Sequence, residues 1–141
     1  MADNVDTATR SRMMAGVKGA DTKPELFLRK ALHREGLRYR LGGSALPGKP
    51  DLVFPSRSAV VFVHGCFWHR HGCSYFKWPT TNKQFWEDKL NANVARDKRA
   101  KLALKKLGWT VFEVWECALR KNNYALPNPT IDRLSKKLLQ R

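Results

Sequence analysis

Four metal-binding side chains crowd one short stretch of this chain, and no other feature restricts the fold as much. Cys66, His69, His71 and Cys73 fall within eight residues, and the last of the three cysteines, Cys117, follows a separate apolar run. The stretch from His64 to Trp78 has neither helical nor strand periodicity. It also carries Trp68, Tyr75, Phe76 and Trp78, bulky rings that an irregular loop does not settle by its own contacts. Cys66, His71, Cys73 and Cys117 would make a Cys₃His set, and four such ligands form a closed, structural zinc site. Binding energy at that site would tie the loop to the strand before Cys117 and contribute directly to folding. The spacing differs from the usual C-x₂-C finger, so three small buried thiols with surface histidines remain the alternative. An odd cysteine count and a polar opening without an apolar signal core argue against a disulfide framework and for a cytoplasmic protein.

Around this loop the pattern alternates between helix and strand. Residues 1–20 are polar and weakly periodic and read as an N-terminal arm, with a short helix around Thr7 to Val17. Residues 21–141 read as a single domain. Thr22 and Glu25 have capping-box spacing with Pro24 in the first turn, so a helix starts there and stops at Gly36. Leu37 to Leu41 alternates and predicts a strand. Asp51 to Phe54, a turn at Pro55 to Ser58, and the β-branched run Ala59 to His64 predict a hairpin whose second strand is buried. A long helix is expected over Asn82 to Leu107, ended by Gly108, then a strand over Trp109 to Trp115 and a last helix from Pro129 to Leu139. The order αβββαβα predicts an α/β domain with a mixed central β-sheet flanked by helices.

Charge points to the partner. Lys and Arg number 27 against 12 Asp and Glu, a net charge of +15. Polyanionic nucleic acid is the commonest match for such an excess, because neutralised phosphates release counterions; a ribosomal or merely solubilised basic protein fits the same balance. No apolar run approaches the roughly 20 residues that span a bilayer, so no membrane role is expected.

Several residues then stand out chemically. His64 and His69 are spare beside the proposed ligands, and an imidazole near neutral pKa can activate water or orient a phosphate. Each can equally be a hydrogen-bonded structural histidine or a substitute zinc ligand. Asp51 opens a strand beside the one ending at His64, where a carboxylate can hold Mg²⁺ against a phosphate; it can also be an ordinary turn residue. Phe67 and Trp68 are adjacent rings in a cationic loop, suited to wedging between base steps. Trp86 belongs with them or in the core. Lys89, Asn93 and Arg96 share one helix face, either as groove-reading vocabulary or as a solvated basic surface.

The string Pro47-Gly48-Lys49-Pro50-Asp51, the run His64-Gly65-Cys66-Phe67-Trp68-His69 with His71 and Cys73, the pair Phe85-Trp86 and the run Val114 to Arg120 closely resemble the very-short-patch repair (Vsr) DNA mismatch endonucleases. So does the opening Ala8-Thr9-Arg10-Ser11. The likeness runs from about Asp6 to Arg120. It implies a restriction-endonuclease-like fold of the PD-(D/E)xK type, without the usual E-x-K, and a structural zinc on Cys66, His71, Cys73 and Cys117. It implies Asp51 as a Mg²⁺ ligand, with the backbone carbonyl of Val63 as a second; Thr is usual at that position. His69 would activate water, His64 would contact the scissile phosphate or the metal water, and Glu25 would support the site. Phe67, Trp68 and Trp86 would form a wedge from the major groove, met by Met14 and Val17 from the minor groove on an arm that orders on DNA. Lys89 and Asn93 would read the T·G pair. Arg70 stands where His is common in the family.

The resemblance therefore implies a Mg²⁺-dependent endonuclease that nicks double-stranded DNA 5′ to the thymine of a T·G mismatch, the product of 5-methylcytosine deamination. A wobble pair is easier to distort than a matched one, which turns deformability into selectivity. A monomer is expected, with mismatch-repair proteins as candidate partners. Two rival readings share these residues: a sequence- or structure-specific nuclease without mismatch preference, and a non-catalytic zinc DNA-binding module that has no use for Asp51 or His69.

Overall fold

The computed structural model describes residues 22–41, 43–73 and 76–140. The expected arm helix, Met14 and Val17 lie outside the described residues. Helix α1 spans Lys23–Arg34, and its start follows the expected chemistry: the Thr22 hydroxyl accepts from the Glu25 backbone N–H at 3.4 Å, and proline sits in the first turn. Leu28, Ala31 and Leu32 face inward, and Gly36 leaves the helix at φ 85°.

Strand β1 (Leu52–Phe54) pairs antiparallel with β2 (Ala59–His64) across a short 3₁₀ turn at Pro55–Arg57. Helix α2 (Lys83–Lys106) then makes the long crossover that a parallel pairing requires, and β3 (Thr110–Trp115) lies parallel to β2. The sheet has order β1-β2-β3 and is mixed, as expected. A four-residue helix α3 (Glu116–Leu119), which sequence pattern did not announce, carries Cys117. Helix α4 (Pro129–Leu139) begins where Asn128 accepts from the N–H groups of Thr130 and Ile131 at 2.9 and 3.2 Å.

The predicted strand over Leu37 to Leu41 is corrected. Only Arg40 pairs, in an isolated antiparallel bridge to Val53 with backbone bonds of 2.8 and 2.9 Å. Strand β1 is three residues long and leaves little edge for a further strand to follow.

Strand alternation sends the two faces of the sheet to different helices. Leu52, Phe54, Val61 and Val114 pack with Leu28 and Leu32 of α1, Leu119 of α3, and Ile131, Leu134 and Leu138 of α4. Val53, Val60 and Phe62 turn the other way, onto Leu104 of α2. At Gly48 (φ 74°) the loop before β1 passes so near α2 that a Cβ there would lie 2.6 Å from that of Ala100, so only glycine fits. No helix among the described residues is long and apolar enough to cross a membrane.

Candidate active site and thiol-imidazole cluster

A cleft of about 840 Å³ opens between α1, the C-terminal end of β2 and the flank of α2. It gathers Glu25, Asp51, Val63, His64, Phe67, Trp68, His69, Lys89, Asn93 and Arg96, all singled out from the sequence. Trp86 and the four thiol-imidazole residues lie outside it.

Asp51 sits at the mouth of β1, where its Oδ2 accepts a 2.7 Å hydrogen bond from the Val63 backbone N–H. Burial, with a smaller push from the neighbouring Glu25, raises its carboxyl to about 7 against the pull of that N–H. Glu25 is itself buried, held by Arg29 at 2.5 Å. Two carboxyls crowded in a half-closed site repel each other when both ionise, a tension that a hard divalent cation relieves. The donor set is oxygen-rich and fits Mg²⁺.

His64 and His69 face each other with ring centroids 4.2 Å apart. Each has its own carboxylate. His64 Nε2 is 2.8 Å from Glu113 Oε2, and His69 Nδ1 is 2.5 Å from Asp97 Oδ2. The other oxygen of Glu113 accepts from Lys101 Nζ at 2.9 Å. The hydrogen bond to His64, and then Lys101, hold the Glu113 carboxyl down at about 2 despite partial burial. Asp97, Lys101 and Glu113 were not picked out from the sequence. Asp97 is masked in the sequence by the basic helical run around it, but Glu113 offered a signal: it is the one charge in a strand of largely apolar residues.

Cys66, His71, Cys73 and Cys117 converge from the loop and α3, one donor atom from each lying within 4.8 Å of the others. The Cys117 N–H points to Cys66 Sγ at 3.4 Å, Cys117 Sγ lies 3.6 Å from His71 Nδ1, and the His71 ring stacks on Trp115 at 4.0 Å. Burial pushes the Cys66 thiol up to about 12 and raises Cys117 as well, so thiolates here need a nearby cation. Soft sulfur and one imidazole are the ligand set zinc takes in structural sites. His69 stands apart from this cluster and belongs to the cleft.

Phe67, Trp68, Phe76, Trp78, Phe85 and Trp86 form one connected group of rings. Phe67 lies edge-on to Trp68 (5.2 Å) and Trp86 (5.5 Å) and stacks on Phe76 (5.9 Å). Phe67 and Trp68 are half-buried at the cleft, whereas Trp86 is only 2% exposed. In the free protein Trp86 is thus the base of the group rather than its tip. Asn93 Nδ2 donates to the Trp68 carbonyl at 2.9 Å, which links the α2 face to this group. Arg70 reaches over the Trp78 ring at 5.8 Å and bonds Asn91.

A family model described as DNA mismatch endonuclease Vsr matches residues 2–75. The DNA mismatch endonuclease Vsr of Escherichia coli is 44% identical over 134 residues, covering 95% of this chain and 86% of that protein. The type II nicking enzyme V.XorIIP of Xanthomonas oryzae pv. oryzae is 46% identical over 119 residues, covering 84% of this chain and 88% of that protein. The type II nicking enzyme V.NmeAIP of Neisseria meningitidis is 38% identical over 138 residues, covering 98% of this chain and 97% of that protein. With likeness of this extent along nearly the whole sequence, the chain belongs to the Vsr family of DNA mismatch endonucleases.

Proposed function

We propose that this protein is a DNA-nicking endonuclease of the restriction-endonuclease-like, PD-(D/E)xK type, cutting one strand of a duplex 5′ to the thymine of a T·G mismatch. The observation that carries this reading is the paired histidines: two imidazoles 4.2 Å apart, each bound to its own carboxylate, in the cleft that also holds Asp51. Asp97 on Nδ1 of His69 fixes one tautomer and leaves Nε2 to take a proton from an attacking water. His64 is set to meet the scissile phosphate, and Glu25 supports the acidic pocket. Asp51 and the carbonyl of Val63 are the residues that would hold Mg²⁺, which when bound supplies charge to stabilise the phosphate in its transition state.

Lys89, Asn93 and Arg96 line the same cleft and present donors to a groove. Phe67 and Trp68 are the wedge, with Trp86 beneath them. Unstacking costs a few kcal/mol per step, and least at a weak wobble pair, so the wedge favours T·G over a matched pair. Cys66, His71, Cys73 and Cys117 are the residues that would hold a structural zinc, which would fix the loop carrying Phe67, Trp68 and His69. This set is closed, with no open position for substrate.

The test is a nicking assay on end-labelled duplexes with T·G, T·A or C·G at one site, with and without Mg²⁺, using wild type and Asp51→Ala. The expected result is a Mg²⁺-dependent nick beside the thymine of T·G only, lost in Asp51→Ala. Equal cutting of matched duplexes would replace mismatch specificity with a sequence- or structure-specific nicking reading. Binding without cutting in any context would leave a zinc DNA-binding module.

A further inference from the structure

Glu113 is an acid on β3, opposite Phe62 in the β2–β3 register and bonded to two residues, His64 and Lys101, that line the cleft. Its two oxygens go to different elements: one to His64 Nε2 on β2 at 2.8 Å, the other to Lys101 Nζ on α2 at 2.9 Å. An ordinary ion pair joining helix to sheet would need only the lysine, and exposed pairs of that kind contribute little to stability. The bond to the imidazole is the feature such a pair leaves unexplained.

An oxygen of Asp97 lies within 4.8 Å of a His64 ring nitrogen, but that carboxylate is bonded to His69 at 2.5 Å. The remaining ring neighbours of His64 are Phe62 stacked at 5.6 Å, Trp115 at 4.8 Å and His69 at 4.2 Å. Stacked rings restrain the tilt of an imidazole but do not distinguish its two nitrogens. We infer that Glu113 is a positioning residue for strand nicking, its carboxylate bridging His64 and Lys101 so that the imidazole is fixed through Nε2–H and its Nδ1 is left to accept from a water at the scissile phosphate. Lys101 has a distinct part. It holds the carboxylate in one rotamer and offsets a negative charge that would otherwise repel DNA from the cleft.

The inference rests on the nicking reading, so its test has one readout that does not need activity. Single-turnover nicking and duplex affinity are measured on T·G DNA, well below the melting temperature, for Glu113→Ala, Glu113→Gln, Lys101→Met and Glu113→Gln with Lys101→Met. In parallel, ¹⁵N-resolved NMR of the free protein follows the Nε2–H resonance of buried His64. Glu113→Ala should slow nicking by about 10- to 100-fold, the usual cost of removing an orienting partner, with affinity unchanged or tighter, and should abolish the His64 resonance. In Glu113→Gln the amide has one acceptor oxygen, which the Lys101 ammonium draws to itself, so the NH₂ group is turned toward His64 Nε2–H, donor against donor, and nicking falls. Removing that ammonium in the double variant frees the amide oxygen for His64 and restores much of the rate and the resonance. A merely structural acid would give no such rescue.

A folded Glu113→Ala that nicks at the wild-type rate would overturn the inference, as would a double variant no better than Glu113→Gln. Should Glu113→Ala fail to fold, the Gln and double variants decide alone. Should wild type cut no duplex, the nicking reading fails, and the presence or loss of the His64 resonance still decides whether Glu113 fixes the ring.

Discussion

The Nδ1 of His69 lies 2.5 Å from the Oδ2 of Asp97, across 28 residues of sequence and from a loop to the middle of α2. A carboxylate at this distance fixes the proton on Nδ1 and makes Nε2 the basic nitrogen. Removing a general base costs about 10²- to 10⁴-fold in rate, so His69→Ala should fall in that range. Asp97→Asn keeps the shape but can present its NH₂ group to Nδ1 and invert the tautomer, and a loss of about 10- to 100-fold is expected. Both variants should bind T·G duplex as wild type does. Single-turnover rates beside gel-shift affinities check this; an Asp97→Asn enzyme at full rate would remove Asp97 from the mechanism.

Glu113 makes stability depend on acid. Its carboxyl lies at about 2 in the folded chain, chiefly because of the His64 bond, against 4.5 for an ordinary glutamate. A depressed carboxyl binds fewer protons folded than unfolded. The stabilisation is therefore complete above pH 4.5 and is lost as pH falls from there through 2. The raw shift corresponds to about 3 kcal/mol, and partial exposure of the Glu113–Lys101 pair reduces this to ~1–2 kcal/mol. Denaturant melts of wild type and Glu113→Gln should differ by that amount at pH 5–6 and converge near pH 2. A constant difference across the range would contradict the assignment.

The thiol-imidazole cluster predicts one zinc per chain. Cys117 is its link between the loop and α3, so Cys117→Ser should lose the metal and lower the melting temperature by about 10 °C or more, equivalent to a few kcal/mol in a domain of this size. Metal analysis and thermal melts measure both effects, and a strong chelator should reproduce the shift in wild type. Substitution with Co²⁺ should give sulfur-to-metal charge-transfer bands. Full stability and no bound metal in every preparation would leave the cysteines as small buried hydrophobes.

Local chemistry made much of this fold legible. The Thr22–Glu25 cap, the β-branched run Ala59–His64 and the proline and asparagine at the start of α4 each act within a few residues, and each element formed where those signals stood. The thiol-imidazole set was legible because its spacing is dense and its chemistry narrow. Leu37 to Leu41 misled because alternation describes a half-buried strand but says nothing of the partner's length; β1 offers only Leu52–Phe54. The carboxylate partners of the histidines were hidden for a related reason. Asp97 lies among lysines and arginines, where an acid reads as a helix-surface ion pair, and only the packing of α2 over the β2 end brings it to His69. Glu113 could have been caught by asking where a charge inside the run Thr110–Trp115 finds its counter-charge.

Burial separates the roles of the aromatic group. Trp86 is 2% exposed and touches Phe67, Trp68 and Phe85 at ring separations of 5.5, 5.9 and 5.1 Å. Truncating such a ring leaves a large cavity, so Trp86→Ala should cost about 3–5 kcal/mol of folding stability. Trp68 is half-buried at the cleft, and its backbone carbonyl rather than its ring is bonded to Asn93. Trp68→Ala should therefore cost less in stability, about 1–2 kcal/mol for the apolar area that is actually buried. Its larger effect should fall on DNA. Without the ring, the gain in affinity for T·G over T·A should shrink, while affinity for matched duplex, carried by the basic face, stays within about twofold, since phosphate contacts are indifferent to the pair. Urea unfolding and competition binding on the two duplexes separate these effects. If Trp68→Ala retained full discrimination and only lost stability, Trp68 would be core, and the wedge would have to be sought in Phe67 alone.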